Sequence, residues 1–336
     1  MPEKTAFQTI LIALQDPKKD FSRTYLRHFS DIDPASLKSL LEAWPRLNPT
    51  RKLLLLDGLA SIMDSDTLVS FEDIGRALLN DEDADVRARA IRLLAESNDP
   101  KLVGVLVEIL RNDPDLPPRM EAAALLGEFV LLGELDELPE DIRLKAEDAL
   151  MKVVGSDEHA SLRRASLEAV GYSSRVEVET LIHSAFNRSD PIWVASALTA
   201  MGRSNDDQYS DEVVSMILND DPRIRLAAVR SAGGLSIEAA RPILLTMLLD
   251  GEEDEDEVIA SAIWSVSQIG GEDVRAFLVD MLEKTEDEDV TGYLEEALEN
   301  LDFTEELEKF ELLTLDEDDL DADDLVDDDL VDEEEE

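Results

Sequence analysis

The stretch Asp221-Pro222-Arg223-Ile224-Arg225-Leu226-Ala227-Ala228-Val229-Arg230-Ser231-Ala232-Gly233 decides the fold. It reads as a helix with its start and stop written in. Asp220 or Asp221 can accept the free N–H groups of a first turn. Pro222 suits the first helical position, where its missing N–H costs nothing. Ala227, Ala228 and Ala232 are small enough to let a second helix come close. Gly233 and Gly234 are expected to end the helix.

The same string recurs along the chain. Aligned on the small residue at the centre of each helix, the copies fall at Ala90, Ala122, Ser166, Ala197, Ala228, Ala262 and, degenerately, Leu294, with spacings of 32, 44, 31, 31, 34 and 32. The long interval coincides with an insertion around Val130–Asp141, which contains GELDELPED and reads as an elongated loop. Each unit has one grammar. A first helix carries aliphatics, such as Leu102, Val105, Leu106, Ile109 and Leu110. An acidic turn follows, such as Asn219-Asp220-Asp221-Pro222, and then a second helix such as IRLAAVRSAGG. A helix pair this short cannot bury its apolar face alone, so neighbours must complete the core. The expected class is an all-α superhelix.

Composition agrees and excludes a good deal. Leu, Ala and acidic residues dominate the 336 positions, and Gly, Pro and aromatics are sparse, which favours helix over sheet. There is no cysteine, so disulfides, zinc–thiolate sites and thiol nucleophiles are excluded. His28, His159 and His183 are the only histidines. The N-terminus lacks a basic segment and a small-residue cleavage site, so it does not read as a signal peptide. No apolar run approaches the roughly 18–20 residues that span a bilayer. A soluble, cytoplasmic protein is expected, with no membrane partner. The net charge is −49, of which residues 316–336 supply fifteen acids and no base. Such a field repels nucleic acid, so none is expected as a partner.

Four segments follow. Residues 1–69 read as an irregular helical N-terminal cap, 70–302 as the repeats and 303–315 as a capping helix. Residues 316–336 are expected to be a disordered acidic tail, too charged and too poor in apolar residues to offset ordering entropy.

An acidic turn, then Val/Ile/Leu-Arg, small residues and a terminal Gly is carried by Val86-Arg87…Ala90, Arg119…Ala122…Gly127, Leu162-Arg163…Gly171 and Ile224-Arg225…Ala228…Gly233. Weaker copies stand at Trp193…Ala197…Gly202 and Val258…Ala262. In this pattern the chain resembles the short HEAT-like repeats of the phycobilisome-lyase type over roughly residues 70–300. The resemblance implies a right-handed α-α solenoid from a prokaryote, with the second helices lining the concave face. It says little of function, because such repeats serve scaffolds, lyases and adaptors alike. HEAT-like hydroxylases hold iron through His-Glu pairs, and this chain has no His-Glu dipeptide.

Arg87, Arg119, Arg163 and Arg225 share the second position of their helices and are expected to pair with turn acids, forming a ladder that sets repeat stacking. The second helices between about 84 and 234 carry ten arginines against six acids, a local excess inside an acidic protein. That excess suggests a neutral-to-basic groove for an acidic ligand, either a partner or the chain's own tail. Arg92, Arg164, Arg223 and Arg230 are the candidate contacts. Trp264 stands where the other repeats carry mostly polar residues, so an exposed binding anchor is expected there; Trp193 reads as core. No residue points to catalysis, a cofactor or a metal: the cluster Asp254-Glu255-Asp256-Glu257 lacks the spaced ligands and turn glycine of an EF-hand loop. The expected function is a non-catalytic protein-interaction scaffold or adaptor. An enzyme or enzyme accessory of the phycobilin-lyase kind, and an acidic chaperone-like or nucleic-acid-mimicking protein holding basic partners, are the alternatives.

Overall fold

The computed structural model describes residues 3–16, 21–288 and 290–304, and every regular element among them is helical. The chain divides into two compact units, Met1–Ser204 and Asn205–Glu336. The first holds α1 (Glu3–Gln15), α2 (Pro34–Ala43), α3 (Pro49–Met63), α4 (Glu72–Leu78), α5 (Ala84–Arg92), α6 (Lys101–Asn112), α7 (Leu116–Glu134), α8 (Glu140–Val154), α9 (Ala160–Val170), α10 (Val176–Phe186) and α11 (Pro191–Arg203). The second holds α12 (Ser210–Met216), α13 (Pro222–Gly234), α14 (Arg241–Asp250), α15 (Asp256–Ile269), α16 (Glu272–Lys284) and a last helix at 290–304.

The starts of the second helices are set by short acidic side chains. Asp83, Asp190 and Asp221 each accept the backbone N–H two residues on, at 2.9, 3.0 and 3.0 Å. Proline follows directly in α11 and α13. His159 caps α9 in the same way, its Nδ1 accepting from the Ser161 N–H at 3.3 Å.

In the first unit α3, α5, α7, α9 and α11 pack in succession, and α4, α6, α8 and α10 each lie against the second helix of their own pair. In the second unit α13 packs on α15, with α12 and α14 against their partners. Ala90, Ala122, Ser166, Ala197, Ala228, Ala262 and Leu294 are all fully buried, one on each second helix. The period read from the sequence is therefore the period of close helix approach. Helix α13 ends at Gly234, as expected, and Gly233 also has a packing role. It lies within α13, where a Cβ would sit 2.7 Å from Ser265 Oγ of α15. Gly171 does the same job beside α11, with the Ala200 backbone 2.7 Å from where a Cβ would stand. These glycines allow contact with the next repeat.

The long interval is built differently from the elongated loop expected around Val130–Asp141. α7 extends for 19 residues and α8 for 15, leaving only residues 135–139 between them. Leu125, Leu126, Phe129 and Val130 are buried along α7, so apolar packing sustains the extra turns.

At the N-terminal end Trp44 closes α2 and is buried, its indole N–H donating to Asp81 of the turn before α5 at 2.7 Å. Lys52 stands 5.2 Å from the same ring. Helix continues to residue 304; the rest of the capping helix expected over 303–315, and the tail 316–336, lie outside the described residues.

Candidate functional site

Three of the four ladder arginines end on acids of the next turn. Arg225 donates to the Asn219 and Asp220 carbonyls behind it, at 2.9 and 3.1 Å. Ahead, its Nε and one terminal nitrogen meet both oxygens of Glu253 at 2.7 Å. Arg87 repeats the arrangement, with the Asp81 and Glu82 carbonyls behind and both oxygens of Asp113 ahead at 2.8 Å. Arg119 fastens its Nε to the Leu110 carbonyl at 2.8 Å and reaches Glu158 at 2.8 Å. Such planar two-point pairs hold geometry as well as charge.

The titration of these groups follows from the pairing. The hydrogen bond from Arg225 holds the Glu253 carboxyl below its ordinary range against the opposing effect of burial. Burial pushes Asp113 up, and the Arg87 hydrogen bond, the Asp115 N–H and the charges of Arg87 and Arg119 together outweigh it, so this group too is held low. The Asp113 and Asp115 hydrogen bonds push Arg87 up.

The arginine excess of the second helices is largely neutralised from outside them. Arg89 meets Asp57 of α3 at 2.6 Å. Arg223 folds back on Asp221 with contacts of 2.9 and 2.6 Å. Arg92 pairs with Glu121 of α7. The count of second-helix charges included Glu121 but missed Asp57, on α3, and Asp221, in the turn. Arg163 and Arg164 take neither course: their guanidinium carbons lie 5.3 and 5.9 Å from the centre of the Trp193 ring, which is buried.

Two of the singled-out residues, Arg230 and Trp264, are brought together. They line a cleft of about 720 Å³ in the second unit, between α13, α15 and the helix at 290–304. Ser261, Trp264 and Gln268 share one face of α15. Trp264 is 42% exposed and Tyr293 is 44% exposed. Arg230 donates its Nε to Ser261 Oγ at 3.0 Å and a terminal nitrogen to Glu257 at 2.8 Å. Asp256 and Glu296 complete the rim, both exposed. The cleft thus presents two aromatic side chains, three carboxylates and one arginine already paired. Tyr293 was not singled out from the sequence. It stands one residue before Leu294, the position that Ser261 holds before Ala262, and that register was the available signal.

Among the described residues no group of His, Cys, Asp and Glu could hold a metal ion, and no helix is long and apolar enough to cross a membrane.

Helical hairpins stacked at a period of 31–34 residues, with an arginine–carboxylate ladder, define an α-helical repeat protein. The family model of HEAT repeats matches residues 72–171 and 211–299, more than half of the chain, and the chain belongs to that family. No curated protein sequence matches it. Solved structures of similar fold include the complex of CpcE and CpcF of phycocyanin lyase from Nostoc sp. PCC7120, at 17% identity over 68% of this chain and 94% of that one, TM-score 0.44. Human deoxyhypusine hydroxylase is similar at 14% identity over 79% of this chain and 96% of that one, TM-score 0.33. Importin beta is similar at 12% identity over 89% of this chain and 44% of that one, TM-score 0.42. These likenesses concern the fold alone.

Proposed function

We propose that the protein is a non-catalytic interaction scaffold whose second unit receives a basic segment of a protein partner in the Trp264 cleft. The observation that carries this reading is the pairing of two exposed aromatics, Trp264 and Tyr293, with the carboxylates of Asp256, Glu257 and Glu296. Aromatic faces attract ammonium and guanidinium groups, and nearby carboxylates add charge-assisted hydrogen bonds. Exposed Trp and Tyr are also the side chains that most often anchor interfaces. The acidic rim repels the chain's own tail, so that tail is not the occupant of this cleft.

The experiment is a titration of the full chain with a fluorescent Lys/Arg-rich peptide. Saturable binding that weakens with salt and drops about tenfold or more in Trp264→Ala is expected. Binding unchanged in Trp264→Ala, with the fold intact by circular dichroism, contradicts the proposal.

A further inference from the structure

The ladder has one rung without its acid. Two residues before the caps of α5, α7, α13 and α15 the turn carries Asp81, Asp113, Asn219 and Glu253, and each of these side chains accepts the N–H of the cap residue itself; before α9 the rung acid is Glu158, one residue ahead of the cap His159. Asp113 and Glu253 also receive the arginine of the preceding repeat. The cap of α11 is Asp190, and the residue two before it is Arg188. Neither position from which the other rungs are closed carries an acid for Arg163: one is Arg188 and the other Ser189.

Arg163 is held in the ladder pose all the same. Its Nε donates to the Val154 carbonyl at 2.9 Å, as that of Arg119 does to Leu110. The guanidinium carbons of Arg163, Arg164 and Arg188 lie 5.3, 5.9 and 4.0 Å from the Trp193 ring centre. Among the described residues none of the three makes an ion pair, although the chain carries 80 acids against 31 bases. Stacking on the indole spreads the like charges over one aromatic surface and leaves N–H edges for an acceptor.

We infer that the Arg163–Arg164–Arg188 cluster is a docking site for a carboxylate of an acidic peptide segment of a protein partner, which supplies the rung's missing acid. The Arg119 rung, whose Nε is tied to a carbonyl in the same way, shows the chemistry that fits: its two terminal nitrogens meet both oxygens of Glu158 at 3.0 and 2.8 Å. The site lies in the first unit and differs from the Trp264 cleft in the sign of the ligand it takes.

The test is a titration of the full chain with a short fluorescent Asp/Glu-rich peptide at physiological ionic strength, where the chain's overall negative field is screened beyond about 8 Å. Saturable binding is expected, with no binding of the same peptide carrying Asn and Gln. Arg188→Glu and Arg188→Ala should each weaken it about tenfold or more, the loss of a charge-assisted contact. Arg188 is exposed, so both variants keep the helical circular dichroism spectrum. Absence of saturable binding to the wild-type chain overturns the inference. So does equal binding by both Arg188 variants, or binding of a phosphoserine peptide where the carboxylate peptide fails.

Discussion

Arg225 and Arg163 hold the same place in their helices and end in different company. Arg225 meets both oxygens of Glu253, whose side chain is 6% exposed. Arg163 meets the face of Trp193 and shares it with two further arginines. The first is a finished stacking joint. The second is anchored on a backbone carbonyl as Arg119 is and has no acid. A repeat specifies its own stacking through positions that recur, so a position that fails to recur is where the chain departs from stacking alone. Trp264 and Arg188 are both such departures, and they lie beside groups of opposite charge.

If the two rungs differ in this way, removing their arginines should differ in cost. Arg225→Ala strands Glu253 in a largely buried position and should destabilise the fold by about 3 kcal/mol. Arg163→Ala leaves no carboxylate stranded and should cost about 1 kcal/mol, from one hydrogen bond and one aromatic contact. Urea denaturation midpoints of the two variants measure the contrast, and equal losses would break it.

Acid sharpens the same difference. Because Glu253 is held below its ordinary pKa, its contribution is complete above that ordinary carboxylate value and is lost as pH falls through the lower folded value. The stability gap between wild type and Glu253→Gln should therefore be widest near neutrality and close in acid. The Arg163 rung has no carboxylate, so the gap between wild type and Arg163→Ala should stay flat over the same range. Chemical denaturation of the variants across pH 3–7 reads both curves.

A smaller effect concerns the close approaches beside these rungs. Gly171→Ala should cost about 1–3 kcal/mol, since its new methyl group meets the Ala200 backbone. Gly155→Ala meets only a Met151 carbonyl at 3.6 Å and should change stability by less than about 1 kcal/mol. Thermal melts compare the pair.

How much of this was legible depended on what a side chain needs. The central small residues, the Asp caps and the ladder positions were readable because each obeys a local rule repeated along the chain. The packing role of Gly233 was not legible, because a packing glycine and a terminating glycine look alike without the neighbouring helix. The interval after Ala122 was misread because an elongated helix and an elongated loop differ in packing, and Phe129 and Val130 decide it only when their burial is known. The arginine excess misled because its partners, Asp57 among them, sit on other elements. The exposure of Trp264 was legible from comparing equivalent positions. Arg188 could have been found that way and was not, since the alignment was made on the helix centre and not on the turn.

The most direct measurement is the stability of Arg188→Glu. This single change places an acid at the turn position that closes the Arg87 and Arg225 rungs, beside the Trp193 ring that Arg163 also contacts. Thermal and urea denaturation should show a gain of about 0.5–1 kcal/mol over wild type, the usual worth of a partly exposed ion pair. A loss of stability, or none gained with the helical spectrum intact, would contradict the account of Arg163 as an unclosed rung.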